Sequence, residues 1–226
     1  MWRKFLNSIV VPLLFVVAGG LSALFVVDIV RYSQRVMPQQ ESDPEWIISE
    51  YDEMFQEVGE IYGVDWLLLS AIASVESKYT PTAISRVGAT GLMQVMPAVA
   101  KSMGYAPEAL FDSRACAELA AKLLHENNNM LRFPSDFDSN ERVRFILACY
   151  NAGYSRIADA RRLAQYYGDD ADVWSVVATY LPLLAEPEYA NHEAVHAGTF
   201  IGSDETIAYV AKVMRVYGRY KRKLAQ

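Results

Sequence analysis

The chain has few of the features that would mark several protein classes. It carries 2 cysteines in 226 residues, too few for a disulfide framework, so the fold must be held by packing. Its 9 prolines and 12 glycines exclude a fibrous or low-complexity polymer. It has no basic excess: 21 Lys and Arg stand against 27 Asp and Glu, a net charge of −6, which argues against a nucleic-acid binder. Histidine is scarce at 3, which leaves little material for a metal centre. What the chain does have is apolar surface, with 52% hydrophobic residues, enough for one domain with a real core plus an appendage.

Much of that hydrophobicity is at the start. From Phe5 to Val27 no residue is charged, and the run as a helix covers roughly 35 Å, enough for a hydrocarbon layer of about 30 Å. Residues 1–30 are expected to be a single-pass membrane anchor. A cleaved signal peptide is the alternative, with Ala18-Gly19-Gly20 as a small-residue cleavage site. Arg3 and Lys4 before the run nearly balance Arg31 and Arg35 after it, so charge alone sets no orientation. Residues 31–43 are polar and aperiodic, and they read as a linker.

The remainder, 44–226, reads as one mainly α domain. Asp43-Pro44-Glu45 has the composition of a helix start, followed by Ile47, Tyr51, Met54, Val58 and Ile61 at helical spacing and Gly63 as a stop. Further helices are expected near 65–77, 97–103, 113–131, 140–151, 154–167, 172–180 and 204–223. Gly104, Gly153 and Gly168 punctuate them, and Ser139-Asn140 and Ser203-Asp204 stand as N-caps. A loop or a short hairpin is the expectation for 192–202.

The helix at 65–77 holds an odd residue. Ser70, Ser74 and Ser77 share one face, whereas Glu76 follows Leu69 and Ile72 on the apolar stripe. A carboxyl there should have a raised pKa and stay neutral near pH 7, as a general acid requires. The plainer alternatives are a buried Glu paired with Arg or Lys, or a helix-end Glu turned to water. After it come a proline turn, then Gly88 and Gly91 around a polar stretch, with Met93 and Gln94 offering an apolar wall and an amide.

Glu76-Ser77, the run Ser85-x-x-Gly88-Ala-x-Gly91-Leu-Met93-Gln94, and Met96-Pro97 together resemble the signature of the lytic transglycosylase (SLT) catalytic domain, a lysozyme-like, goose-type fold that cleaves peptidoglycan. Cys149-Tyr150-Asn151-Ala152-Gly153 resembles the same family's Ala-Tyr-Asn-Ala-Gly helix end. Glu205-Thr206-x-x-Tyr209-Val210 resembles its Glu-Thr-x-x-Tyr-Val helix start. Residues 154–190 are most similar to the C-terminal module of its membrane-bound F branch, whose large N-terminal domain is here replaced by the apolar run and linker.

The resemblance implies the rest. Glu76 would be the single acid/base, with Ser85, Met93 and Gln94 lining the glycan groove. Tyr150 and Asn151 would face the sugar, and Glu205 would approach the peptide side. The reaction implied cleaves the bond between N-acetylmuramic acid and N-acetylglucosamine and closes a 1,6-anhydro ring, without cofactor. The implied partners are glycan strands and, through the N-terminal segment, the membrane, which places the domain in the periplasm behind the inner membrane. Plainer roles stay open: an ordinary buried aromatic for Tyr150, a C-cap for Asn151 and Gly153, and helix-dipole chemistry for Glu205. So do two other functions: a muramidase, with Asp112, Asp136, Asp138, Asp204 or Glu205 as second acid, and a non-catalytic wall-binding scaffold.

Three further features are read plainly. His192-Glu193-Ala194-Val195-His196 matches a zinc-protease pattern, but its surroundings are too short for a packed helix, so no metal is expected. Arg215, Arg219, Lys221, Arg222 and Lys223 make a solvated basic helix end, with lipid or stem-peptide contact as a lesser possibility. A bridge between Cys116 and Cys149 is left open.

Overall fold

The structure, a computed structural model, describes residues 47–225. The expected anchor, the linker and the Asp43-Pro44-Glu45 helix start lie outside the described residues. Among the described residues no helix is long and apolar enough to cross a membrane.

The expected mainly α architecture is present. The helices are α1 (Asp52–Tyr62), α2 (Trp66–Glu76), α3 (Pro97–Ser102), α4 (Ser113–Leu131), α5 (Ser139–Ala152), α6 (Tyr154–Tyr166), α7 (Trp174–Tyr180), α8 (Pro187–Ala190) and α9 (Ser203–Leu224). Short 3₁₀ turns occupy Pro107–Phe111 and Pro182–Ala185. The described residues contain no strand, only isolated bridges from Thr90 to Ile84 and to Val95.

Helix α2 is the axis of the core. Leu67, Leu68, Leu69, Ala71, Ile72 and Ala73 are all buried, because α1 packs on one side and α9 on the other. The α1–α2 turn is tight. Gly63 takes a left-handed φ of 65°, and a Cβ on Gly59 would stand 2.5 Å from the Val64 carbonyl oxygen. Asp65 caps α2 by accepting from the Leu67 N–H at 2.9 Å, and its other oxygen accepts from the Tyr217 hydroxyl at 2.5 Å. That second bond ties the start of α2 to the last third of α9, while Tyr209 stands near the other end of α2.

Several local expectations need correction. The first helix begins at Asp52, because the Asp52 carboxylate binds the Ile48 and Ser49 N–H groups and closes a separate turn ahead of it. The buried face is therefore Phe55, Val58 and Gly59, and Ile47 and Ile61 are exposed. Helix α5 is capped by Asp138, which accepts from the Asn140 and Glu141 N–H groups, one residue ahead of the expected pair. Helix α9 has Gly202 at its cap and no side-chain capping bond, so neither Ser203 nor Asp204 serves. Thr206 bonds back to the Gly202 carbonyl instead. The segment 192–202 forms turns rather than a hairpin, since its polar backbone is held by α6: Asp159 accepts from the His196 and Ala197 N–H groups, and Arg156 donates to the Ala197 and Gly198 carbonyls.

Candidate active site

Glu76 is the last residue of α2, half-buried where the apolar stripe of Leu69 and Ile72 runs out. Desolvation pushes its carboxyl up to about 7, and the charge of Glu205 adds to the rise. The Tyr209 hydroxyl and Lys212 pull the other way and do not win. The acid is therefore about half protonated at neutral pH and largely neutral below it, and among the described residues no Arg or Lys forms a salt bridge with it.

Two tyrosines border it. Tyr150, near the end of α5, donates to the Met93 carbonyl at 2.8 Å, and burial and the nearby Glu76 raise its pKa, so its hydroxyl stays protonated. Tyr209 is 8% exposed, and its hydroxyl is the unpartnered buried side-chain polar atom among the described residues. It lies near enough to Glu76 for the two to perturb each other, yet outside the geometry of a completed hydrogen bond. An orphaned hydroxyl beside a neutral carboxyl is a donor awaiting an acceptor.

The loop after Glu76 is knitted by its own side chains. Ser77 donates to the Leu92 carbonyl at 2.7 Å, which fixes the loop to the end of α2. Gln94, at φ 49°, donates both amide hydrogens inward, to the Ala83 and Gly91 carbonyls, each at 3.0 Å. The Ser85 hydroxyl accepts from the Ala89 N–H at 3.0 Å. Gly91 is the position that admits no side chain, because a Cβ there would fall 1.9 Å from the Leu110 carbonyl oxygen.

Placement of the remaining expected residues is uneven. The Met93 side chain is fully buried and presents no surface to a groove, so it is core, and only its backbone reaches the site through Tyr150. Asn151 accepts from the Thr206 hydroxyl at 2.8 Å and joins the end of α5 to the start of α9. Glu205 is exposed on the first turn of α9, with its charge felt at Glu76. Tyr209 is the residue that sequence reasoning passed over as a site residue, although it stands in the Glu-Thr-x-x-Tyr-Val motif.

The other singled-out residues lie apart. Asp112 caps α4 through the Ala115 N–H, Asp138 caps α5, and Asp136 and Asp204 are exposed. The His192–His196 stretch is not helical, so the spacing that would put both rings on one face is lost. His192 Nδ1 accepts from the Ala194 N–H of its own turn. Cys116 and Cys149 are buried free thiols, pushed by burial up to about 11 and about 12, and Cys116 accepts from the Met93 N–H. A hollow of about 340 Å³ at Gln56, Glu60, Asp65 and Trp66 sits at the far end of α2 and does not include Glu76.

Comparison with known proteins bears on this arrangement. Residues 53–173 match the family model described as the transglycosylase SLT domain. Membrane-bound lytic murein transglycosylase F of Alcanivorax borkumensis is 36% identical over 167 residues, 74% of this chain and 34% of its own. Its namesake in Desulfosudis oleivorans is 29% identical over 204 residues, 88% of this chain and 40% of its own. The chain thus spans little more than a third of these curated relatives. The crystal structure of the 70 kDa soluble lytic transglycosylase of Escherichia coli superposes with a TM-score of 0.52 at 23% identity, covering 77% of this chain and 24% of that one, a likeness of fold.

Proposed function

Since the chain belongs to the transglycosylase SLT domain family, we propose that it is a peptidoglycan lytic transglycosylase that uses Glu76 as its single acid/base. The observation that carries this reading is a half-buried carboxyl raised to about 7 at the end of α2, between Tyr150 and the unpartnered Tyr209 hydroxyl.

Neutral Glu76 protonates the glycosidic oxygen between N-acetylmuramic acid and N-acetylglucosamine. The bond breaks with positive charge developing on the muramic ring, shielded by that sugar's own 2-acetamido group. Glu76, now a carboxylate, takes the proton of the C6 hydroxyl, whose oxygen closes on the anomeric carbon. The product is a 1,6-anhydro sugar, and Glu76 ends protonated as it began. The nucleophile belongs to the substrate, so it acts at high effective concentration without an activated water. Tyr209 supplies a hydroxyl to the carboxylate when it forms. Asn151 and the side-chain carbonyl of Gln94 contact the sugars, Ser85 shapes the groove wall, and Glu205 meets the peptide side.

Hydrolysis of the same bond is the second reading, and one observation favours it. Of the five carboxylates considered as a second acid, Glu205 acts on Glu76. A hydrolase would use it to activate water. Residues 1–30 would anchor the domain to the inner membrane, with 44–226 in the periplasm facing its substrate. The test is muropeptide release from purified sacculi by the wild-type protein and its loss in Glu76→Gln; equal release by both would remove Glu76 from the reaction.

A further inference from the structure

Helix α2 ends in an unusual way. Lys78 and Tyr79 both take left-handed φ values, 52° and 61°, two and three residues beyond Glu76. L side chains rarely adopt this conformation, and two in succession are rarer. Glycine takes such a turn at Gly63 after α1, and single non-glycine residues take it at Gln94 and at Arg132 after α4, but among the described residues only Lys78 and Tyr79 do so in succession. At the end that carries the acid the chain keeps a lysine and a tyrosine.

Something must hold them there, and the holding groups are visible. The Tyr79 N–H donates to the Ala73 carbonyl at 3.3 Å. The Tyr79 ring folds back along the serine face of α2 and stacks on Tyr51. Its hydroxyl lies 2.9 Å from the Ser70 hydroxyl and 3.0 Å from the Tyr220 hydroxyl, with Ser74 beside it. Ser70 is fully buried, so its oxygen depends on this contact. The serine face apparent in the sequence thus has an occupant, which is the tyrosine three residues beyond the acid.

We propose that Tyr79 is a positioning residue for Glu76: its hydroxyl, clamped between Ser70 and Tyr220, holds the left-handed turn that fixes where α2 stops and where the Glu76 carboxyl points. The proposal rests on Glu76 being the acid of the proposed reaction. In this arrangement α9 serves the acid twice, through Tyr209 at the carboxyl and through Tyr220 at the clamp. A backbone conformation of high energy next to a reacting group persists only when its surroundings over-determine it.

The test uses the full chain in detergent and two readouts, turnover of purified glycan strands and ¹³C titration of the Glu76 carboxyl. Tyr79→Phe keeps the ring and its stack and removes the hydroxyl. It should lower kcat about ten- to a hundredfold with KM nearly unchanged. It should also bring the Glu76 titration down from about 7 as the carboxyl swings toward water, with Tyr209, Lys212, Glu205 and Tyr150 still facing it. Tyr220→Phe, a milder change on α9, should do the same. The double variant should be no worse than either single, because both break one chain of hydroxyls. Adding Lys78→Gly, which relieves the turn, should restore most of the lost rate. An unchanged Glu76 titration in folded Tyr79→Phe and Tyr220→Phe would overturn the proposal, and so would additive losses. The titration needs no turnover, so inactivity of the wild-type protein would refute the proposed reaction while the clamp is still judged.

Discussion

At the scale of the residue, Glu76 makes opposing demands on activity and stability. Its carboxyl titrates near 7 in the fold and near the ordinary carboxylate value when unfolded. In the proposed reaction the acid form is the active one, so kcat should fall as pH rises through about 7. The stability consequence has the same direction. Below the unfolded pKa both states are protonated and nothing is lost; between that value and about 7 the unfolded chain ionises first, and stability declines as pH rises. Glu76→Gln should therefore lose cleavage by several orders of magnitude, since an amide neither donates nor accepts the proton. It should also be more stable than wild type at pH 8, by an amount on the order of 2 kcal/mol, and equal to it at pH 4. Thermal melts at the two pH values check this. Glu76 was legible because its spacing from Leu69 and Ile72 put a charge on an apolar stripe. Met93 was not, because an apolar side chain next to a glycine reads alike as groove wall and as core. Tyr209 was hidden by the reverse problem: a buried tyrosine normally finds a partner, and the sequence does not show that this one has none.

At the scale of the element, helix periods carried most of the reading, and the ends carried the errors. Helix α4 falls at 113–131 as expected, and α2, α3, α5, α6, α7 and α9 lie within two residues of expectation. Caps slipped where two candidate side chains stood side by side, as at Asp138-Ser139-Asn140, because geometry rather than residue type chooses between them. The loop between Glu76 and α3 was legible as glycines in a polar run, but not which glycine matters. The structure separates them: a Cβ at Gly88 meets nothing, while at Gly91 it meets the Leu110 backbone. Gly91→Ala should destabilise by more than about 3 kcal/mol and drop the melting temperature on the order of 10 °C. Gly88→Ala bears only the cost of a left-handed alanine, about 1 kcal/mol. Comparable losses from the two would show that the loop does not depend on this contact. For the His192–His196 turn, His192→Ala and chelation should both leave glycan cleavage unchanged; loss of bound zinc together with activity would contradict that expectation.

At the scale of the whole molecule, the fold brings segments distant in sequence to one site. The 22-residue helix α9 brings the first turn with Glu205, then Tyr209 and Tyr220, to the two sides of α2, so the acid and its supports come from segments more than a hundred residues apart. No local reading of sequence places them together; the motifs did so only through family resemblance. If residues 1–30 anchor the domain, the full chain should sediment with inner membranes and require detergent, not salt, for release. A chain lacking 1–43 should stay soluble and still cleave isolated sacculi. Recovery of a shortened chain free in the periplasm would indicate a cleaved signal instead.

The central claim is that the substrate's own C6 hydroxyl, not water, completes the reaction at Glu76. Mass spectrometry of muropeptides released from sacculi in ¹⁸O-water tests it directly. The account predicts termini of 1,6-anhydro-N-acetylmuramic acid, one water lighter than hydrolysed ends, non-reducible and free of label. Reducible termini carrying ¹⁸O would contradict it and assign the chemistry to a hydrolase built on the same fold.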